Sequence, residues 1–452
     1  MPVKIEYDQN RKLILPEIEC HCGMPHETPD IDIYIGSNIV AKCVSYINAR
    51  NFGKNAVLVA DLITYKIAGK KVESLLQQAG YSISLCLLER EGELEPDESA
   101  IGEILYAMEK GTNFLIAVGS GSINDLTRYV AVNTKLPFIS VGTAPSMDGY
   151  TSVVAPLLNR GLKINKPATY PKVLICDLEI MRNAPYPMLI SGFGDVLGKY
   201  IAIADWRVGK IINGEAYCPV SVDIVDQAVR KCVDNIDGIK AQTEAGVQSL
   251  IEALILAGLT ILIIGNTRPV ASVEHNMAHY WEMMKLLRKE HAPSHGTAVG
   301  VATGYAAKFY EAFLKIDPAK LNKTEINAKR LSREAREKFV CDKYGPKFGA
   351  SIIKEHPDDF LTWEEQERRI DAFIDNFELI KQEVALVPSW SEVKEIFQRL
   401  GSPITAADIG IDDALLEDTL FCAKDYRNRY TIFKTADEIG VLDELVAKVL
   451  RY

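Results

Sequence analysis

Histidine is scarce in this chain, with seven in 452 residues. Four of them, His275, His279, His291 and His295, crowd into VEHNMAHYWEMMKLLRKEHAPSHG, residues 273–296. Positive charge is also short: 51 Lys and Arg stand against 61 Asp and Glu, a net charge of -10. That balance argues against nucleic acid or an anionic membrane as the main partner, since both call for a basic surface. The opening MPVKIEYDQNRK lacks an apolar core of signal-peptide length, so export is not expected. The longest apolar run, IEALILAGLTILIIG from Ile251, is too short to span a bilayer and carries Glu252. It reads as a buried helix, and no membrane insertion is expected. Nine cysteines, an odd number scattered from Cys20 to Cys422, read as reduced thiols of a cytoplasmic protein rather than a disulfide framework. CHCGMPH brings Cys20, His21, Cys22 and His26 close in sequence. A C-x-C without a second ligand pair is a weak zinc pattern, and the stretch reads as an incidental N-terminal loop.

What is present suits a globular enzyme of two or three domains, 48% apolar and 25% charged. From about residue 30, short β-rich runs alternate with helical patterns. NAVLVAD (55–61), YSISLCLL (81–88), NFLIAVGSGS (113–122), LPFISVGTAPS (136–146) and PKVLICDL (171–178) carry strands. ITYKIAGKKVESLLQQAG, SAIGEILYAMEKG and NDLTRYVAVNT read as the helices between them. That order predicts a parallel sheet covered by helices. After about residue 180 helical patterns take over, and charge runs such as LNKTEINAKRLSREAREKF read as solvated helix faces. The expectation is an α/β domain over residues 1–178, an all-α domain over 179–452, and a ligand in the groove between them.

VGSGSIND, residues 118–125, leaves a predicted strand and enters a predicted helix. Gly119 and Gly121 permit close backbone approach, Ser120 and Ser122 add hydroxyls, and the helix start adds unpaired N–H groups, a set suited to a pyrophosphate. Asn124 stands where G-x-G-x-x-G has its third glycine, so a purely structural turn stays open. VGTAPSMDGYTS, from Val141, is a second small, hydroxyl-rich turn after a strand. Two such turns at the ends of successive strands point to a dinucleotide along that sheet edge. Asp148 reads equally as a turn former, and Asp61 as a ribose acceptor or a loop cap.

The stretch from Ser272 to Glu290 contains neither proline nor glycine and reads as a helix with His275 and His279 on one face. Pro293 breaks it, and His295-Gly296 opens a small-residue helix, where an imidazole is biased towards the neutral, metal-binding form. A protease H-E-x-x-H site is not met, because Asn276 follows His275 and Glu274 precedes it. A third metal ligand would be a carboxylate or an imidazole from elsewhere in the chain, and Asp195 in SGFGDVLGKYIAIADW is the best candidate. From the residues alone, a cap on the helix that this segment is read to open, or a pair with Lys199, explains Asp195 slightly better.

Taken in order, GSGSIND, TAPSMDGYTS, SGFGDVLGK, EHNMAH and SHG resemble the sn-glycerol-1-phosphate dehydrogenases, and DYRNRYTI near the end is similar too. That family sits in the iron-containing alcohol dehydrogenase and dehydroquinate synthase-like superfamily. Arg128, where many relatives carry lysine, points to the bacterial branch. The resemblance implies a Rossmann-like N-terminal domain that holds NAD or NADP through Gly119, Ser120, Gly121, Ser122, Ile123, Thr143, Ala144, Pro145, Ser146 and Ser152. It also implies that Asp195, His275 and His295 hold one divalent metal: zinc, nickel or ferrous iron. Asp148, Asp195 and His279 are implied to meet the substrate, with Asp195 and His279 in catalytic roles. His291 matches no motif and is expected at the surface. The implied reaction is reversible reduction of dihydroxyacetone phosphate to sn-glycerol 1-phosphate, in a cytoplasmic homodimer or larger homo-oligomer that serves phospholipid synthesis.

The chain is long for that family, with the extra material expected in the charged stretch 317–375. Arg160, Lys163 and Lys166 in NRGLKINKP read as loop residues, and the phosphate ligands are not evident. Three other readings stay open. One is a glycerol or polyol dehydrogenase of the same superfamily. Another is a cyclisation like that of dehydroquinate synthase, against which Asp195 in place of glutamate argues. The last is a non-catalytic binding relative, against which the intact Asp195, His275 and His295 set speaks.

Overall fold

The computed structural model describes residues 6–15 and 20–451. Six strands form one sheet: β1 (Asp32–Gly36), β2 (Asn55–Asp61), β3 (Ser82–Leu88), β4 (Phe114–Gly119), β5 (Phe138–Gly142) and β6 (Val173–Asp177). Their spatial order is β1-β6-β5-β4-β2-β3 and every pairing is parallel. FLIAVG, FISVG and VLICD are buried along their whole length, as strands covered by helices on both faces must be. From β2 the chain steps to β3 at one edge, whereas from β4 it steps through β5 to β6 in the other direction. Ligands of open α/β sheets bind beyond the strand carboxyl ends at such a reversal. Here the GSGS turn follows β4, beside it.

The loop expected over NRGLKINKP is instead a hairpin, Val154–Asn159 paired antiparallel with Leu162–Pro167. Arg160 at φ 52 and Gly161 at φ 76 make its two-residue turn, both in the left-handed region that matches strand twist. Arg-Gly is a poor sequence signal for that turn, which hid the hairpin. The helix expected over 63–80 forms, but with a wider π turn at Tyr65–Gly69 between Leu62–Thr64 and Lys70–Gln78.

The chain divides into two compact units, Met1–Val196 with Asp223–Asn266, and Leu197–Val222 with Thr267–Tyr452. Loss of strand pattern after residue 178 marks the end of the sheet; residues 179–196 and 223–266, although helical, belong to the sheet's unit. The reason lies in α3 (Glu244–Ile264), apolar all round and buried over nearly its whole length. At 21 residues it is long and apolar enough to cross a membrane, so the length argument drawn from the apolar run does not hold. Burial of 83% of its most apolar window makes it a core helix.

The second unit is helical around α4 (Val273–Leu287) and α5 (His295–Phe313). Phe309 of α5 stacks on Phe433 with ring centroids 3.8 Å apart. The charged stretch 317–375 forms several helices that add Val340, Tyr344, Ile370 and Phe373 to this core, so its charges cover one face of packed helices.

Candidate active site

In the first unit, β4 and β5 end in register, Gly119 opposite Gly142, so the two glycine- and serine-rich turns leave the sheet side by side. Ser120 takes the N-cap position of α1 (Gly121–Thr134), which places the helix's unpaired N–H groups at the end of β4. The hydroxyls of Ser120 and Ser146 lie 2.8 Å apart and link the turns. Beneath them the buried Tyr150 hydroxyl donates to Ala144 O at 2.7 Å and lies 3.4 Å from Gly119 O. Burial raises the Tyr150 pKa, which keeps it a neutral donor. The residues 119–123 and 143–146 expected at the dinucleotide therefore come together. The Ser152 hydroxyl takes no part in the Ser120–Ser146 bond: it donates to Val154 O and accepts the Val154 N–H, each at 3.0 Å.

Asp61 takes the capping alternative. Its carboxylate accepts the N–H groups of Ile63 at 2.8 Å and Thr64 at 2.7 Å in a capping box.

Arg128 entered the sequence reading only as a branch marker, and its structural role went unseen. Its side chain is fully buried and donates to the carbonyls of Ser152 at 3.1 Å, Val154 at 3.3 Å and Gly149. Desolvation lowers its pKa, opposed by the nearby Asp125 carboxylate. Arg128 thus brackets the loop that bears Asp148.

Asp148 begins a short 3-10 turn, and its N–H donates to Asp195 Oδ2 at 3.0 Å. Asp195 does not open a helix as its glycine-flanked segment suggested. It lies inside α2 (Tyr186–Asn213), fully buried, where it cannot cap that helix's start. Two glycines let the helices approach this turn. A Cβ at Gly192 would stand 1.9 Å from Pro145 O, and one at Gly258 of α3 2.1 Å from Thr151 Oγ1. Next to Gly192, Ser191 Oγ donates to Ser146 O at 3.0 Å.

In the second unit, α4 and α5 bring three of the histidines together. The rings of His275 and His279 are 6.3 Å apart, and that of His295, first residue of α5, is 5.3 and 5.0 Å from them. Each ring has a carboxylate. Glu274 Oε1 is 2.7 Å from His275 Nδ1, and Glu282 Oε2 is 3.1 Å from His279 Nδ1. Glu282 Oε1 is 3.4 Å from His295 Nδ1, yet the geometry is no hydrogen bond and that nitrogen is buried without one. With its Nδ1 proton donated to Glu274, His275 presents Nε2 as its basic nitrogen. Tyr426, from DYRNRYTI, stacks on His279 at 5.5 Å and 22°. His279, Glu282 and His295 also bring one ligand atom each within 4.8 Å of one another. His291 is exposed.

Sequence reasoning missed Glu282 and Asp205. Asp205 Oδ2 accepts the Ser272 hydroxyl at 2.6 Å, and Oδ1 accepts Tyr310 Oη–H at 2.7 Å and Ile432 N–H at 2.8 Å. It pins the start of α4 to α5 and to a C-terminal helix, and burial pushes its pKa up to about 6. An acid within the apolar IAIADW was the available signal, of the same kind as Asp195.

Residues 34–185 match the family model of the iron-containing alcohol dehydrogenases. The crystal structure of glycerol dehydrogenase from Schizosaccharomyces pombe shares the fold, with a TM-score of 0.57 and 17% identity over 96% of this chain and 94% of that one. Relatives in sequence are closer. Glycerol-1-phosphate dehydrogenase [NAD(P)+] of Halalkalibacterium halodurans is 31% identical over 93% of this chain and 96% of its own. That of Geobacillus stearothermophilus is 30% identical with the same two coverages, 93% and 96%. The chain therefore belongs to the glycerol-1-phosphate dehydrogenase family.

Proposed function

We propose that this protein reduces dihydroxyacetone phosphate to sn-glycerol 1-phosphate, reversibly, with NADH or NADPH and one divalent metal. The match to glycerol-1-phosphate dehydrogenases along 93% of the chain is the observation that carries this reading.

Asp195, His275 and His295 are the proposed metal ligands, and their surroundings fit that role. Asp195 is a carboxylate buried in an apolar helix, His275 has its Nδ1 held by buried Glu274, and His295 keeps a buried nitrogen without a hydrogen bond. A bound ion would offset the cost of burying the Asp195 charge and the unbonded His295 nitrogen, while the Glu274 bond orients His275 as such bonds orient metal-bound histidines. Two imidazoles and a carboxylate suit zinc or nickel, with ferrous iron a third candidate. When bound, the ion supplies Lewis acidity toward the substrate carbonyl.

The chain's own groups do the remaining work. The GSGS and TAPS turns offer main-chain N–H groups and linked serine hydroxyls to the pyrophosphate. Asp195 and Arg128 hold the Asp148 turn, which we assign to the substrate's hydroxyl end. The carbonyl carbon accepts hydride from the dihydronicotinamide and its oxygen accepts a proton. His279, its ring oriented by Glu282 and Tyr426, is assigned to deliver that proton. We further assign the enzyme to the cytoplasm, as a homodimer or larger homo-oligomer that supplies phospholipid synthesis.

NADH oxidation by metal-replete protein, with dihydroxyacetone phosphate beside dihydroxyacetone and the product's chirality determined, tests the reading. Turnover confined to the phosphate, yielding sn-glycerol 1-phosphate and lost in His275→Ala, is expected. Preference for dihydroxyacetone would reassign the protein to the polyol dehydrogenases.

A further inference from the structure

The dehydrogenase reading leaves CHCGMPH unused, and the structure gives it more order than an incidental loop needs. Within the first unit Cys20, Cys22 and His26 each bring one ligand atom within 4.8 Å of the others. Cys22 Sγ is 3.2 Å from His26 Nε2. Gly23, at φ 80, reverses the chain immediately after Cys22, a conformation that side-chain-bearing residues rarely adopt, and this returns His26 to the two sulfurs. His26 Nδ1 lies 3.4 Å from Ile263 O, in the last turn of α3, where helix carbonyls lack intrahelical partners. Donation from Nδ1 to that carbonyl leaves Nε2 as the basic nitrogen beside sulfur, the arrangement found around metal-bound histidines.

We propose that Cys20, Cys22 and His26 bind a second metal ion, zinc by their donor chemistry, separate from the dehydrogenase site. Binding releases the two thiol protons to solvent; a dication, two thiolates and a neutral imidazole then sum to zero charge, so no counter-ion is required. Water or a ligand from elsewhere in the chain takes the fourth tetrahedral position. The ion is structural. Through His26 it fastens residues 20–26 to the end of α3, beside a small apolar cleft lined by Leu15, Pro29, Leu256, Leu259 and Ile263.

Cobalt(II) substitution of the reduced full-length protein tests this directly. Cobalt bound by thiolates absorbs in the near ultraviolet by sulfur-to-metal charge transfer, whereas the proposed Asp195, His275 and His295 set contains no sulfur and gives no such band. Wild type is expected to show the band and to hold about one more equivalent of zinc than Cys22→Ser. Cys22→Ser is expected to keep NADH oxidation and to melt at a lower temperature. Absence of the band from wild type would overturn the proposal even if every variant failed to fold. A band that survives in the Cys20→Ser, Cys22→Ser double variant would overturn it equally.

Discussion

Replacing Gly192 by alanine tests whether α2 and the TAPS turn form one rigid seat. The new Cβ would lie 1.9 Å from Pro145 O and 2.9 Å from Pro145 C, with a Leu254 methyl 3.2 Å away on another side. Contacts below 3.0 Å are essentially never seen for Cβ atoms, so the helix or the turn must retreat by about 1.1 Å. The obstacle is backbone and cannot rotate aside. Overpacking of this kind costs about 1–3 kcal/mol, and the better helix propensity of alanine returns about 1 kcal/mol. The net stability loss is therefore about 0–2 kcal/mol. Function should suffer more, because the displaced turn carries Ser146, linked to Ser120 at 2.8 Å, and a shift of about 1 Å in a positioning group costs on the order of a hundredfold. We expect NADH affinity, read by quenching of intrinsic fluorescence, to fall by one to two orders of magnitude while urea unfolding reports a loss of no more than about 2 kcal/mol. Gly102→Ala, whose Cβ meets nothing within 4 Å, is the control. NADH affinity within about twofold of wild type in Gly192→Ala would refute the rigid seat.

Glu274→Gln should weaken metal binding about 10–100-fold, with activity restored by excess metal; an unaltered metal titration would show that Glu274 does not orient His275. His279→Gln should lower kcat by about 10²–10⁴ at unchanged metal content, whereas His275→Ala should lose the metal; metal-poor His279→Gln protein would make His279 a ligand. Burial pushes Asp205 from 3.8 up to about 6, so the folded chain holds this proton more tightly than the unfolded one. Its ionisation should thus cost wild type roughly 3 kcal/mol as pH rises from about 4 to about 6. Asp205→Asn lacks that dependence, and the stability difference between wild type and variant should shrink across the window. A difference that stays constant from pH 4 to 7 would contradict it.

Much of the fold was legible because its signals are local. The strand NAVLVAD runs over Asn55–Asp61 as read, and the helix from Ser272 closes at Leu287 where Pro293 requires a break shortly after. The glycine-serine turns were legible for the same reason: strand, turn and helix follow one another in sequence. Asp195 was misjudged because glycines on both sides imitate a helix start, while α2 tolerates Gly192 in its interior to let Pro145 approach. Arg128 and Asp205 were opaque because each acts on groups far away in the chain: carbonyls of residues 149–154 for one, and Ser272, Tyr310 and Ile432 for the other.

Apolar periodicity, by itself, determined a parallel α/β layer followed by helices, and spacing determined that His275 and His279 share one helix face. Residue type determined which side chains could bind metal or phosphate. Only the tertiary structure decided the order of the strands, the membership of 179–196 and 223–266 in the sheet's unit, and the approach of His295 to His275 and His279. The physical reason is range. Helix and strand patterns arise between residues a few positions apart, whereas a buried carboxylate such as Asp205, a glycine that admits a neighbouring backbone, or a carbonyl that receives His26 depends on segments that meet only when the chain has folded.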